Sequence, residues 1–178
     1  MSDDGRTGNL VGALVIALGD ALRVDLETAS GRGISACAAL ATALAYPGES
    51  VDALRRTLGL SAAGTTRLVD GLQADKLVER RAGLEDGRSR AVVLTDAGRK
   101  QAKAVLAARR AVLARALAPL SKRERGELAR MLNVMLAALT PDRQTCDRIC
   151  RLCDVSRCPQ DDCPVELAAL RSERAAPP

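Results

Sequence analysis

The chain has 178 residues, enough for one well-cored domain and too few for two ordinary ones. Its 27 basic and 22 acidic residues leave a net charge of +5, an excess too mild to argue for nucleic-acid binding unless the arginines cluster. Histidine is absent, which removes the commonest general base and the commonest metal ligand, and Tyr46 is the sole aromatic, which excludes single-strand or RNA-loop recognition by base stacking.

Residues 1–8, with Ser2, Gly5 and Gly8, read as a disordered N-terminus. From Leu10 an i, i+4 ladder of Leu10, Leu14, Leu18, Leu22 and Leu26 runs beside Val11, Val15 and Ile16. That apolar arc is wider than one packing partner requires, so the helix is expected to pack on its own domain and on a second subunit. Asp3 and Asp4 precede the run and the helical pattern outlasts it, which argues against a secretion signal. No stretch approaches the roughly 18 uncharged residues of a membrane span, so a reducing cytoplasm is the expected location and no membrane is expected as partner.

Gly31-Arg-Gly33 breaks the chain, and Ile34 to Ala45 forms a small-residue helix ending before Pro47-Gly48. Cys37 within it reads as a small core residue; the sharper alternative, a peroxide-sensing thiol, needs access and a lowered pKa. From Ser50, Val51, Leu54 and Leu58 recur at helical spacing, and Gly59 stops that helix. Ser61 caps the next, whose apolar line is Thr65, Leu68, Val69 and Leu72 and whose opposite face carries Ala62, Ala63, Thr66, Arg67 and Asp70. Two short helices about a glycine turn, the second with small and polar residues near its start, suit insertion into a major groove. Leu77-Val-Glu-Arg-Arg81 and Arg88-Ser-Arg-Ala-Val-Val-Leu-Thr95 flank Asp86-Gly87 as a β-hairpin, presenting Arg80, Arg81, Arg88 and Arg90 where phosphates could sit. The fold class is mainly α with a small β-hairpin wing: a winged helix-turn-helix plus a helical dimerisation region.

Thr95 caps a long helix with apolar positions Ala102, Val105, Leu106, Val112, Leu113 and Leu117. Ser121-Lys-Arg-Glu124 is a capping box opening another, with Leu128, Leu132, Met135, Leu136 and Leu139 as its expected buried stripe.

In order along the chain, Leu58-Gly-Leu-Ser61, Thr66-Arg-Leu-Val-Asp70, Leu77-Val-Glu-Arg-Arg81, Asp86-Gly-Arg88 and Leu94-Thr-Asp-Ala-Gly98 resemble the signature of MarR-type transcriptional regulators over roughly residues 10 to 140. The resemblance implies a homodimer that binds a pseudo-palindromic operator in double-stranded DNA. It places recognition-helix contacts on Ser61, Ala63, Gly64, Thr66 and Arg67, and a wing contact on Arg88 held by Asp86. Ala63 and Gly64 depart from the hydroxyl residue usual there, which shifts readout toward Arg67, the wing and DNA shape. The expected organisation is a winged-helix domain over 9–140, with its DNA-binding lobe at about 48–95 and dimerisation helices at about 9–30 and 96–140. A Cys-rich segment over 141–170 and a disordered tail over 171–178 follow.

Thr140-Pro141 reads as a cap and first helical position. Cys146, Cys150 and Cys153 then fall at i, i+4 and i+7, and Cys158 and Cys163, each followed by proline, lie in an expected loop. Five of the six cysteines fall within 18 residues, a density that asks for a bound cation, since crowded thiolates repel and oxidise. The spacing Cys150-x2-Cys153-x4-Cys158-x4-Cys163 can bring four sulfurs to one zinc or one iron–sulfur cluster, with Cys146 the extra. Zinc and cluster stand level here, with free thiols or disulfides as the plain alternative. Cys146-x3-Cys150-x2-Cys153 has the spacing of radical S-adenosylmethionine enzymes, but no barrel of alternating strands and helices accompanies it.

The leading expectation is a dimeric, sequence-specific DNA-binding regulator, a repressor, modulated by a small-molecule ligand or by the redox or metal state of the cysteines. The alternative is a metal- or iron–sulfur-binding protein whose winged helix makes protein contacts. Without histidine or a phosphate-binding glycine loop, an enzyme is not expected and no catalytic residue is assigned.

Overall fold

The computed structural model describes residues 3–82 and 90–175. Its elements are α1 (Asp3–Ser30), α2 (Ile34–Ala45), α3 (Val51–Leu58), α4 (Ala62–Ala74), β1 (Val78–Ala82), β2 (Arg90–Leu94), α5 (Asp96–Leu117), α6 (Lys122–Ala138), α7 (Arg143–Cys150), a 3-10 turn (Gln160–Asp162) and α8 (Pro164–Ala175). The mainly helical fold with one two-stranded antiparallel sheet agrees with the sequence reading.

Caps and turns decide the boundaries. Ser50, Ser61 and Thr95 each accept a hydrogen bond from the backbone N–H three residues on, at 3.1, 3.1 and 3.0 Å. Gly59 ends α3 in the left-handed conformation at φ +65°, where a side chain would be strained. Ser121 and Glu124 close a reciprocal capping box at the start of α6.

β1 and β2 pair with Val78 opposite Leu94 and Ala82 opposite Arg90. Ser50 bridges to Ala91 and the Val92 N–H donates to the Glu49 carbonyl at 2.9 Å, so the segment before α3 extends the sheet.

Under the sheet lies the main core: Ala36, Ala39, Leu40 and Ala43 from α2, Leu54 from α3, Val69 and Leu72 from α4, Val78, Val92 and Leu94 from the strands and Ala102 from α5. Each large side chain buried there contributes on the order of 2 kcal/mol. Leu26, Cys37 and Val105 form a smaller cluster where α1 and α2 meet α5. A third gathers Cys146, Cys163, Val165 and Ala169, with Leu136, Ile149, Cys150 and Cys158 packed against it.

Four expectations are corrected. The chain is helical from Asp3, where residues 1–8 were expected to be disordered; a glycine costs about 1 kcal/mol in a helix, too little at Gly5 and Gly8 to stop one propagating from the ladder behind. The expected buried stripe of α6 is not buried within the chain: α6 has no buried residue, and Leu132, Met135 and Leu139 are exposed. The cap of α7 is Asp142, which accepts the Thr145 N–H at 2.7 Å, while the Thr140 hydroxyl donates back to the Leu136 carbonyl at 2.7 Å. The expected tail beyond Leu170 is helical to Ala175, because Pro164 starts α8 and Val165, Ala168 and Ala169 bury one short stripe.

Candidate nucleic-acid interface and cysteine cavity

The start of α4 presents Ser61, Ala62, Ala63, Thr66 and Arg67 to solvent, while Thr65, Val69 and Leu72 point into the core. Ser61 serves the helix as well as the surface, since its Oγ accepts the Gly64 N–H. A Cβ on Gly64 would stand 3.1 Å from that oxygen, so the departure from the usual hydroxyl residue at this position keeps the cap tight. Thr65 turns inward and its hydroxyl donates to the Ser61 carbonyl at 3.0 Å.

A groove runs from α3 past the start of α4 to the strands, and Arg55, Ala62, Thr66, Arg80 and Arg90 line it. Arg90 is exposed at the start of β2. Arg80 is held: its Nη1 donates to Asp70 Oδ1 at 2.6 Å and to Gln73 Oε1 at 3.2 Å, tying β1 to α4. Arg81 pairs with Glu79 at 2.9 Å. Ser61, Ala63, Thr66 and Arg67 are thus exposed at the start of α4 with Gly64 half-buried among them, and Arg90 joins Thr66 in the groove, where Arg80 is bound to α4; Asp86 and Arg88 lie outside the described residues. Sequence reasoning missed Arg55 as part of this groove because helical periodicity gave only its solvent side.

Cys37 is completely buried, with Ser30 Oγ 3.1 Å from its sulfur, and burial pushes its thiol up, as the core reading requires and a reactive thiol does not.

The other five cysteines line a single cavity of about 230 Å³. α2 and α3 supply one wall, with Ala41, Tyr46, Ala53, Arg56 and Thr57, and α7, the following loop and the start of α8 supply the other. All six cysteines are free thiols. Cys146, buried, donates to Glu166 Oε2 at 3.5 Å with Arg143 Nη1 at 3.6 Å; desolvation and the nearby carboxylate push its thiol up to about 12. The Cys150 and Cys153 thiols act on each other, the neighbouring sulfur and burial raising Cys150, while the Cys150 thiol and the Arg109 guanidinium lower Cys153. Cys158 is raised by burial and by its neighbour Cys163. Among the described residues no three cysteine, aspartate or glutamate side chains converge closely enough to hold one metal ion. Arg109 and Glu166 were invisible to sequence reasoning, since each meets these thiols only through tertiary packing.

This segment is braced against α2, α5 and the turn between α3 and α4. The Thr42 hydroxyl donates to the Arg151 carbonyl at 3.4 Å, Gln160 Nε2 to the Tyr46 hydroxyl at 3.3 Å, and Arg110 meets Asp154 at 3.2 Å. Arg148 of α7 lies over the α3–α4 elbow, its Nε 3.3 Å from where a Cβ on Gly59 would be.

Comparison with known proteins agrees with this geometry. The sequence profile of the MarR family matches residues 37–89. Among solved structures, a MarR-family transcriptional regulator from Silicibacter pomeroyi is 30% identical, with a TM-score of 0.59, and the match covers 76% of this chain and 91% of that one. A MarR-family protein from Mycobacterium tuberculosis in complex with salicylic acid is 30% identical over 70% of this chain and 94% of its own, at TM-score 0.52. The YusO protein from Bacillus subtilis shares the fold at TM-score 0.64 and 22% identity, over 76% of this chain and 97% of that one. No curated protein sequence matches. No helix is long and apolar enough to cross a membrane among the described residues. With the capped helix pair, the paired strands behind it and a 30% identical relative spanned over nearly its whole length, the chain belongs to the MarR family of winged-helix transcriptional regulators.

Proposed function

We propose that two copies of this chain bind a pseudo-palindromic operator in double-stranded DNA and repress transcription by occupying it. The observation that carries this reading is the solvent-facing start of α4, built from small residues and Arg67, with Arg55 and Arg90 in the groove that Ala62 and Thr66 line: a face narrow enough to enter a major groove and positive enough to meet phosphate. The bare apolar faces of α1 and α6 supply the surface for the second copy. Affinity responds to whatever changes the separation of the two reading heads, either a small-molecule effector or the state of the C-terminal thiols. The relative solved with salicylic acid makes small aromatic acids the first effectors to try.

The test is binding to a duplex from the protein's own upstream region, followed by fluorescence anisotropy across salt concentrations. Arg67→Ala is expected to weaken specific binding by about 1–3 kcal/mol, roughly fivefold to 150-fold, with a smaller effect on random duplex. Equal affinity for both duplexes, with no change on Arg67→Ala, would rule the reading out.

A further inference from the structure

We propose that Cys150, Cys153, Cys158 and Cys163 hold an iron–sulfur cluster, and that the cluster, by fixing α7 against α3, sets the geometry in which the helix-turn-helix meets DNA. The second half of this proposal rests on the DNA-binding reading; the first half does not.

The four thiols line one cavity of about 230 Å³. Cys150 lies beside Cys153 with Cys146 and Cys163 near it, and Cys158 lies beside Cys163 with Cys153 near it. Cys146 lines the same cavity, but its thiol is taken up by Glu166 and Arg143. One zinc ion would draw four sulfurs to about 2.3 Å each, and so to about 3.8 Å from one another. The described thiols are spread more widely than one ion allows, and the space they border is far larger than one ion fills. A polynuclear core suits both facts. Arg109 of α5 faces Cys153 and Cys158, setting a positive charge against the negative charge of a thiolate-ligated cluster. Proline follows both Cys158 and Cys163, a recurring feature of cluster-binding loops. On transfer of a preassembled cluster from a thiolate carrier, each of four iron–carrier sulfur bonds breaks as one iron–cysteine bond forms, and the four thiol protons pass to the departing carrier thiolates, with no electron transferred in that step.

Transmission follows from what shares the cavity wall. Ala53, Arg56 and Thr57 of α3 face the same space as the ligands, and Arg148 rests on the elbow glycine between α3 and α4. A cluster bridging α7, the loop after it and the start of α8 would hold that backing in place. Stripped of it, the segment is held by its small apolar cluster and by the Arg143 ion pairs that join α7 to α8, and α3 is backed less firmly.

The full-length protein, purified without oxygen, is expected to be brown and to carry both iron and acid-labile sulfide. Colourless protein with bound zinc, or colourless protein with no metal, would overturn the cluster, and this measurement does not depend on any variant folding. Cys158→Ser and Cys163→Ser should lose the colour and Cys146→Ser should keep it; loss in Cys146→Ser would overturn the choice of four ligands. Loaded protein should bind the upstream duplex about tenfold more tightly than chelator-stripped protein, within the usual range of coupling between two sites. Arg148→Ala should keep the colour and lose that difference. Equal affinity of loaded and stripped wild type would overturn the transmission. If neither form binds any duplex, the DNA-binding reading fails, and the cluster is still decided by colour, iron and sulfide.

Discussion

Gly98 shows how one position can be fixed by a neighbour far away in sequence. It sits in the first turn of α5, and a Cβ there would stand 1.9 Å from the Leu77 carbonyl oxygen and 3.2 Å from a Leu94 methyl group. The crowding has a cause: the Thr95 N–H donates to that same Leu77 carbonyl at 3.0 Å, and the Thr95 hydroxyl reaches the Lys76 carbonyl at 2.6 Å, so α5 starts pressed against the entry to β1. Backbone cannot yield as a side-chain tip can. Gly98→Ala is therefore expected to cost about 3 kcal/mol, the upper end for overpacking a tight site, and to lower the melting temperature by several degrees. Thermal unfolding of the variant beside wild type checks this, and an unchanged midpoint would mean that α5 does not start where described. Leu94-Thr-Asp-Ala-Gly98 was legible as a motif, but the carbonyl that demands its glycine was not, because a contact 21 residues away leaves no local pattern.

Among the helices, α7 and α8 divide legible from illegible. The capped elements α3, α4 and α5 could be read because hydroxyl, glycine and apolar spacing agree within each one. The start of α7 was misplaced by the proline at 141, and α8 was missed because Val165, Ala168 and Ala169 make a stripe too short to stand out from a charged tail. Charge does much to join the two helices: Arg143 meets Glu166 and Glu173 at 2.7 Å each. The guanidinium holds the Glu166 carboxyl below the usual carboxylate range. A depressed folded-state pKa means that the stabilisation is present above the unfolded-state value and is lost as pH falls through the lowered one. Acid titration followed by circular dichroism should accordingly show α7 and α8 loosening below about pH 4. Glu166→Gln should flatten that part of the profile and lower stability at neutral pH by roughly 1 kcal/mol, the pair being partly exposed. A profile identical to wild type would show that the Arg143–Glu166 pair does not join the two helices.

Across the entire chain, the largest discrepancy between local pattern and observed burial is itself informative. Periodicity marked apolar stripes on α1 and α6 and could not say what covers them. Among the described residues much of both faces is uncovered, although Leu136 of α6 packs against the cysteine cluster: Ile16 is 68% exposed and Val134 67%, and Leu10, Leu14, Met131 and Leu139 are exposed too. The second half of α1 packs where Leu22 and Leu26 meet α5. Bare apolar stripes on two helices exceed what a monomer normally leaves in water, which is why a second copy belongs there. Since these side chains contribute no burial to the single chain, charging them should separate copies without unfolding each one. Ile16→Glu combined with Val134→Glu is expected to halve the mass measured by sedimentation, keep the helical circular-dichroism signal, and weaken operator binding at least tenfold, because one head alone loses the linked second half-site. A double variant that sediments as a dimer would place the subunit contact elsewhere on the molecule, and the spacing of the two α4 helices would have to be derived from that other face.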